Sequence, residues 1–104
     1  MKQNPKKNKI NKIPSSWMKY SEDKILKEIE DYVNATYKQH YSNQKGMQAL
    51  DVIDSISDVG SYCLCNAVKY LFRYGKKEGK NKKDILKTIH YLILLMHFES
   101  QKEN

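Results

Sequence analysis

The sequence has no long apolar run. Its longest extends only from Tyr91 to Met96, far short of the ~20 residues a membrane-spanning helix needs. The first twenty residues hold no apolar stretch either, so no signal peptide is expected. Cysteine is scarce: there are only Cys63 and Cys65. Two positions apart on a helix, they point in different directions and do not pair with each other. With no second cysteine pair to complete a metal site, they read as reduced thiols of a cytosolic protein. Glycine occurs four times, and never in the GxxxxGK[ST] order of a phosphate-cradling loop. Strand alternation, internal repeats, a nucleophile elbow and a zinc-protease motif are all missing.

At 104 residues the chain has room for one domain. Its net charge of +7 is unevenly placed. Residues 1–20 carry six lysines and no acid, residues 21–68 are net acidic, and residues 69–87 hold eight basic residues against Glu78 and Asp84. Two basic blocks flanking an acidic segment suit phosphate, whether on nucleic acid, a free nucleotide or a lipid headgroup.

Apolar periodicity predicts an all-α fold: a compact bundle of four helices over residues 20–100, preceded by a disordered basic arm, residues 1–19. Trp17 and Met18 are expected to dock the end of the arm on the domain. The first helix is predicted from Glu22 to about His40, with Ser21 as N-cap and a stripe of Ile25, Leu26, Ile29, Tyr32, Val33 and Tyr37. Gly46 breaks the chain. A second helix is expected over Met47–Ser57, with Asp51, Asp54 and Asp58 on one side, and Gly60 as a stop. A third is expected over Ser61–Tyr74, with Leu64, Ala67, Val68, Leu71 and Phe72 toward the core and Gly75 as its C-cap. The fourth begins after Asn81 and runs to about Glu99. It is apolar on most sides, so part of its cover is expected from another subunit.

"NAVKYLFRYGKK", residues 66–77, is the most informative stretch. Asn66, Lys69, Tyr70 and Arg73 fall at i, i+3, i+4 and i+7, on one helical face, with Lys76 and Lys77 just past the end. Arginine binds phosphate bidentately and lysine acts as a point charge, so this face fits an anion with several oxygens. The alternative is an ion-pair layer in which Lys69 and Arg73 meet Asp51, Asp54 or Asp58. The aspartates read either as a solvated acidic face or as holders of magnesium, which takes one or two carboxylates plus substrate phosphates. His40 suits a helix cap or a phosphate contact. His90 and His97 read as core or interface residues.

As a set, "HY" (40–41), "ALDVID" (49–54), "YCLCNAVKYLFRYGKK" (62–77) and "DILKTIHYL" (84–92) resemble a small phage-encoded family across about residues 38–95. Much of that family is of unknown function, and one podophage member is a P-loop-less nucleoside monophosphate kinase acting on deoxynucleotides. The resemblance implies a nucleotide-related role in the cytoplasm of an infected bacterial host. The positions it carries over are His40, Tyr41, Asp51, Asn66, Lys69, Tyr70, Arg73, Gly75, Lys77, Asp84, Lys87 and Tyr91. Cys65 and Tyr74 depart from the family's usual glycine and alanine.

The expected site therefore binds a mono- or triphosphate nucleotide through His40, Tyr41, Asn66, Lys69, Tyr70, Arg73, Lys76 and Lys77. If it is a kinase, Lys69, Arg73 and Asp51 carry the catalysis, and magnesium arrives with the nucleotide. Two other classes stay open. One is a non-enzymatic accessory protein that sequesters a nucleotide signal or blocks a host protein. The other is a nucleic-acid module built on the arm and the 69–87 block.

Overall fold

The computed structural model describes residues 10–40 and 48–102. It is an all-α bundle of four helices: α1 (Glu22–His40), α2 (Ala49–Ile56), α3 (Val59–Arg73) and α4 (Lys82–Lys102). Among the described residues a 3-10 turn, Ser15–Trp17, precedes them. Residues 1–9 of the expected arm lie outside the described residues, as do Gly46 and Met47.

α1 has the expected limits. Its start is stitched to the preceding turn by Ser15 Oγ donating to Asp23 and by the Tyr20 amide donating to Glu22 (3.1 Å). Met18 is half-buried, whereas Trp17 stands 67% exposed, so only the methionine tucks in.

The α2–α3 boundary differs from the expectation. α2 ends at Ile56, and Asp58 is the N-cap of α3. Its carboxylate accepts from the Gly60 and Ser61 amides (3.1 and 3.4 Å) and from Ser61 Oγ (2.9 Å). These bonds satisfy donors that a helix start otherwise leaves orphaned. Gly60 is thus inside α3, not a stop, and the helix begins two residues earlier than its apolar pattern implies. The three aspartates share no helix face, because Asp51 accepts from the Gln48 amide at the start of α2 (2.9 Å) while Asp58 opens the next helix.

α3 and α4 form an antiparallel hairpin. Gly60 lies beside Leu95 and Glu99, Ala67 O accepts from Thr88 Oγ1 (3.5 Å), and Arg73 meets Asp84. The loop between them turns on two left-handed glycines, Gly75 (φ 83°) and Gly79 (φ 67°), and is closed by the Gly75 amide donating to Gly79 O (2.8 Å). Side chains with a Cβ adopt that conformation only at a cost. Asn81 Oδ1 then caps α4 by accepting from the Lys83 amide (2.9 Å).

What α3 buries is a row of small residues, Val59, Gly60, Cys63 and Ala67. Of the residues expected in its core, only Ala67 is there; Leu64, Val68, Leu71 and Phe72 are 49–69% exposed. The reason is steric. Small side chains at the crossing let the two helices approach closely, and the bulky ones are displaced to the flanks. Because the pair is antiparallel, Leu64, Val68 and Leu71 come to the same flank as Ile85, Leu92 and Met96 of α4. The opposite flank carries Tyr62, Asn66 and Lys69 of α3 with Lys83, Lys87 and Leu94 of α4. α1 packs on α4, with the Tyr32 and His90 rings edge to face at 6.0 Å and Lys82 paired to Glu28 at 2.8 Å. α2 leans on α3.

Candidate functional site

The polar flank of the hairpin gathers an aromatic and basic cluster. Tyr70 of α3 and Tyr91 of α4 stack with ring centres 6.0 Å apart and planes 10° from parallel. Tyr62, two helical turns before Tyr70, meets Tyr91 edge-on at 6.3 Å. The Lys69 ammonium lies 4.8 Å from the centre of the Tyr70 ring, and the Lys87 ammonium reaches the same ring from α4 at 5.2 Å. Two cations therefore converge from different helices on one aromatic ring, an electrostatically favourable contact with the ring quadrupole.

Beside the cluster, a cleft of about 490 Å³ opens between α1, α2 and α4, lined by Tyr32, Leu50, Ile53, Tyr62, Lys83, Lys87, His90 and Tyr91 among others. Tyr62, Lys87 and Tyr91 belong to both, so the Lys69–Tyr70 pair continues the wall of the cleft. Among the described residues, Lys69, Lys83 and Lys87 have no carboxylate partner, whereas their neighbours Arg73 and Lys82 do.

Burial pushes the Tyr91 phenol up to about 12, with smaller contributions from Tyr62 and Tyr70. It stays protonated at neutral pH and keeps a donor for a ligand or for Tyr62. Burial also lowers the His90 imidazole below its usual range, and the Lys87 charge adds to the effect. A neutral His90 packs against Tyr32 and Tyr37, the core role expected for it, while His97 is exposed against Phe98. Burial raises the Cys63 thiol; Cys65 is exposed.

The expected site is thus divided. Asn66, Lys69 and Tyr70 stand on the cluster flank. The Asn66 amide donates to Tyr62 O (2.8 Å), which leaves its carbonyl oxygen to accept. Arg73 is engaged elsewhere. It pairs with Glu78 (3.5 Å) and with the almost fully buried Asp84 (3.7 Å), and not with Asp51, Asp54 or Asp58, the partners weighed for an ion-pair layer. Lys76 folds back onto the apolar flank, donating to Phe72 O (3.2 Å) and lying 4.1 Å over the Phe72 ring. Lys77 is exposed beyond Gly75. Asp51 serves the α2 cap. Tyr41 and the side chain of His40 lie outside the described residues.

Lys87 and Tyr91 came only from the resemblance, and Lys83 and Tyr62 were not singled out at all. Each belongs to a helix whose own spacing gives no hint of the partner helix. Among the described residues no group of three or more His, Cys, Asp or Glu side chains is placed to hold a metal ion.

No curated protein and no solved structure matches the chain. The family of proteins of unknown function DUF3310 matches residues 33–93, which take in α2, α3, the glycine loop and every member of the basic and aromatic cluster; with more than half of its length inside that match, the chain belongs to this family.

Proposed function

We propose that the protein binds a nucleotide at the cluster and cleft of the polar flank. One observation carries the reading: Lys69 and Lys87 arrive from two helices at a stacked tyrosine pair, without carboxylate partners, at the edge of a cleft. Lysines without counter-charges attract the phosphate end. Tyr62, exposed beside the stack, offers a ring to a base, and the free Asn66 carbonyl suits a sugar hydroxyl or an exocyclic amine. Arg73 acts in this reading as a positioning residue, because it holds the end of α3 to Asp84.

The enzymatic form of the proposal is phosphoryl transfer to a deoxynucleoside monophosphate. Such catalysis rests on positioning two nucleotides and on stabilising charge, and Lys69, Lys83 and Lys87 supply the charge.

Calorimetric titration with deoxynucleoside mono- and triphosphates, with and without magnesium, tests the binding. Heat with a deoxynucleotide is expected, and at least tenfold weaker affinity in both Lys69→Ala and Lys87→Ala, in line with the loss of a charge-assisted contact. Silence with every nucleotide would refute the reading. A positive result then calls for a transfer assay with a labelled triphosphate donor: turnover marks a kinase, and tight binding without turnover marks a sequestering protein.

A further inference from the structure

Among the described residues, the other flank of the α3–α4 hairpin carries one charge, Lys76 over Phe72 at its loop end, and its apolar side chains stand largely exposed. Between Ser61 and Tyr74 and between Ile85 and Phe98 the only charged residues are Lys69, Arg73 and Lys87, and none of the three turns to this flank. Leu64, Val68 and Leu71 of α3 stand beside Ile85, Leu92 and Met96 of α4, with Phe72 and Ile93 at the edges; their exposure runs from 38% to 73%. They keep this exposure with α1 and α2 in place.

We infer that this face is covered by the same face of a second copy of the chain, so that two α3–α4 hairpins pack into a four-helix interface. Three observations favour a second copy over another partner. The first is area. At roughly 150 Å² for a large side chain taken wholly out of water, these residues come to about 600 Å² per chain, near the ~800 Å² per partner of a standard stable interface. A patch of that size stands at the upper end of what a typical monomer leaves bare.

The second observation is charge. The chain carries +7, and any self-contact through a basic surface would set like charges together. This flank is where two such chains meet with least repulsion, since Lys69, Arg73 and Lys87 lie on the far side and Lys76 sits only at its loop end. The third is that the middle of the flank, from Leu64 to Leu71 and from Ile85 to Met96, offers no charged or directional group by which it could select a different, charged partner. A two-fold contact needs a surface that complements itself, and an uncharged aliphatic face does so. The inference is independent of nucleotide binding, which concerns the opposite flank.

Sedimentation equilibrium of the full chain at micromolar concentration tests it. The wild type is expected at twice the 12.3 kDa chain mass, with a melting temperature that rises with protein concentration, as linked association requires. Val68→Glu and Met96→Glu place a carboxylate on each helix at positions 56% and 73% exposed in the single chain, so the fold tolerates them. Each is expected to sediment as a single chain with unchanged helical circular dichroism. A wild type that sediments as one chain, with a melting temperature independent of concentration, overturns the inference. So does an assembly whose mass neither glutamate alters, because it would rest on another surface. A single-chain wild type that pellets with phosphatidylserine-containing vesicles would overturn it in favour of a lipid surface.

Discussion

The two flanks of the α3–α4 hairpin are built from the same two helices and differ in almost everything. One carries Tyr62, Asn66, Lys69, Tyr70, Lys83, Lys87 and Tyr91 and borders a cleft. The other carries aliphatic and aromatic side chains, about half exposed, with Lys76 over Phe72 at its loop end. Between them runs a narrow buried seam of Val59, Cys63 and Ala67 against Asp84 and Thr88. The seam is too small to absorb the large apolar residues, so these became surface. The contrast teaches that the apolar content of this chain exceeds what one copy buries, while its charge is concentrated where α1 and α2 already partly close the structure.

The largest expected effect comes from breaking the polar flank at its structural end. Arg73→Ala removes the cation facing the Asp84 carboxylate, whose side chain is 5% exposed. The pair is too long for a good hydrogen bond, and Arg73 Nε and Asp84 Oδ2 have no other partner. Stranding a buried charge costs more than the pair itself contributes. The expected loss is about 3 kcal/mol, the low end for such a pair because Arg73 is a third exposed, read from urea unfolding. A loss below about 0.5 kcal/mol, the ordinary range for a surface change, would show that Asp84 is already hydrated and would return Arg73 to the candidates for direct ligand contact.

A smaller effect comes from the seam. Ala67 is 3% exposed where α3 crosses α4. Ala67→Leu forces a side chain into that crossing and should cost about 2 kcal/mol through overpacking. It sharpens the comparison because the leucines one helical turn away on the apolar flank meet no such wall. If Ala67→Leu unfolds at the same urea concentration as the wild type, the helices separate easily and the seam does not set the spacing of the flanks.

How much of this was legible in the sequence follows the range of each interaction. The limits of α1, the left-handed turn at Gly75 and the Asn81 cap are local, and local pattern reached them. The start of α3 was missed although its signal is also local: Asp58 two residues before Gly60 and three before Ser61 is an N-cap arrangement, masked by the habit of reading Gly60 as a stop. The core face of α3 was misread for a different reason. Periodicity marks bulky apolar residues, yet close helix packing selects small ones, and Cys63 and Ala67 at i, i+4 carry little weight in such a reading. For the candidate site, spacing alone placed Asn66, Lys69 and Tyr70 together. It had no means of bringing Lys87 and Tyr91 to them from the next helix, and where it weighed an ion pair for Arg73 it looked to the aspartates before α3 and not to Asp84 after it.

The smallest effect probes how the two halves of the polar flank communicate. His90 is held neutral mainly by burial and secondarily by the Lys87 charge, so its folded pKa lies below the ordinary 6.5 of an unfolded chain. As pH falls through 6.5, the unfolded state binds the proton first and stability declines. The decline continues until the pH passes the folded pKa, below which both states are protonated. His90→Phe keeps a ring against Tyr32 and should flatten that part of the stability profile, while acid loss at lower pH, from carboxylates such as the cap Asp58 whose pKa is held down by Ser61 and Lys102, persists. If an anion settles on Lys87, the repulsion it exerts on a protonated His90 weakens. A proton NMR titration of the His90 ring should then show its pKa move upward when a nucleotide is added, by a small step because burial is unchanged. An identical titration with and without nucleotide would place any bound phosphate away from Lys87, on the Lys69 side of the tyrosine stack.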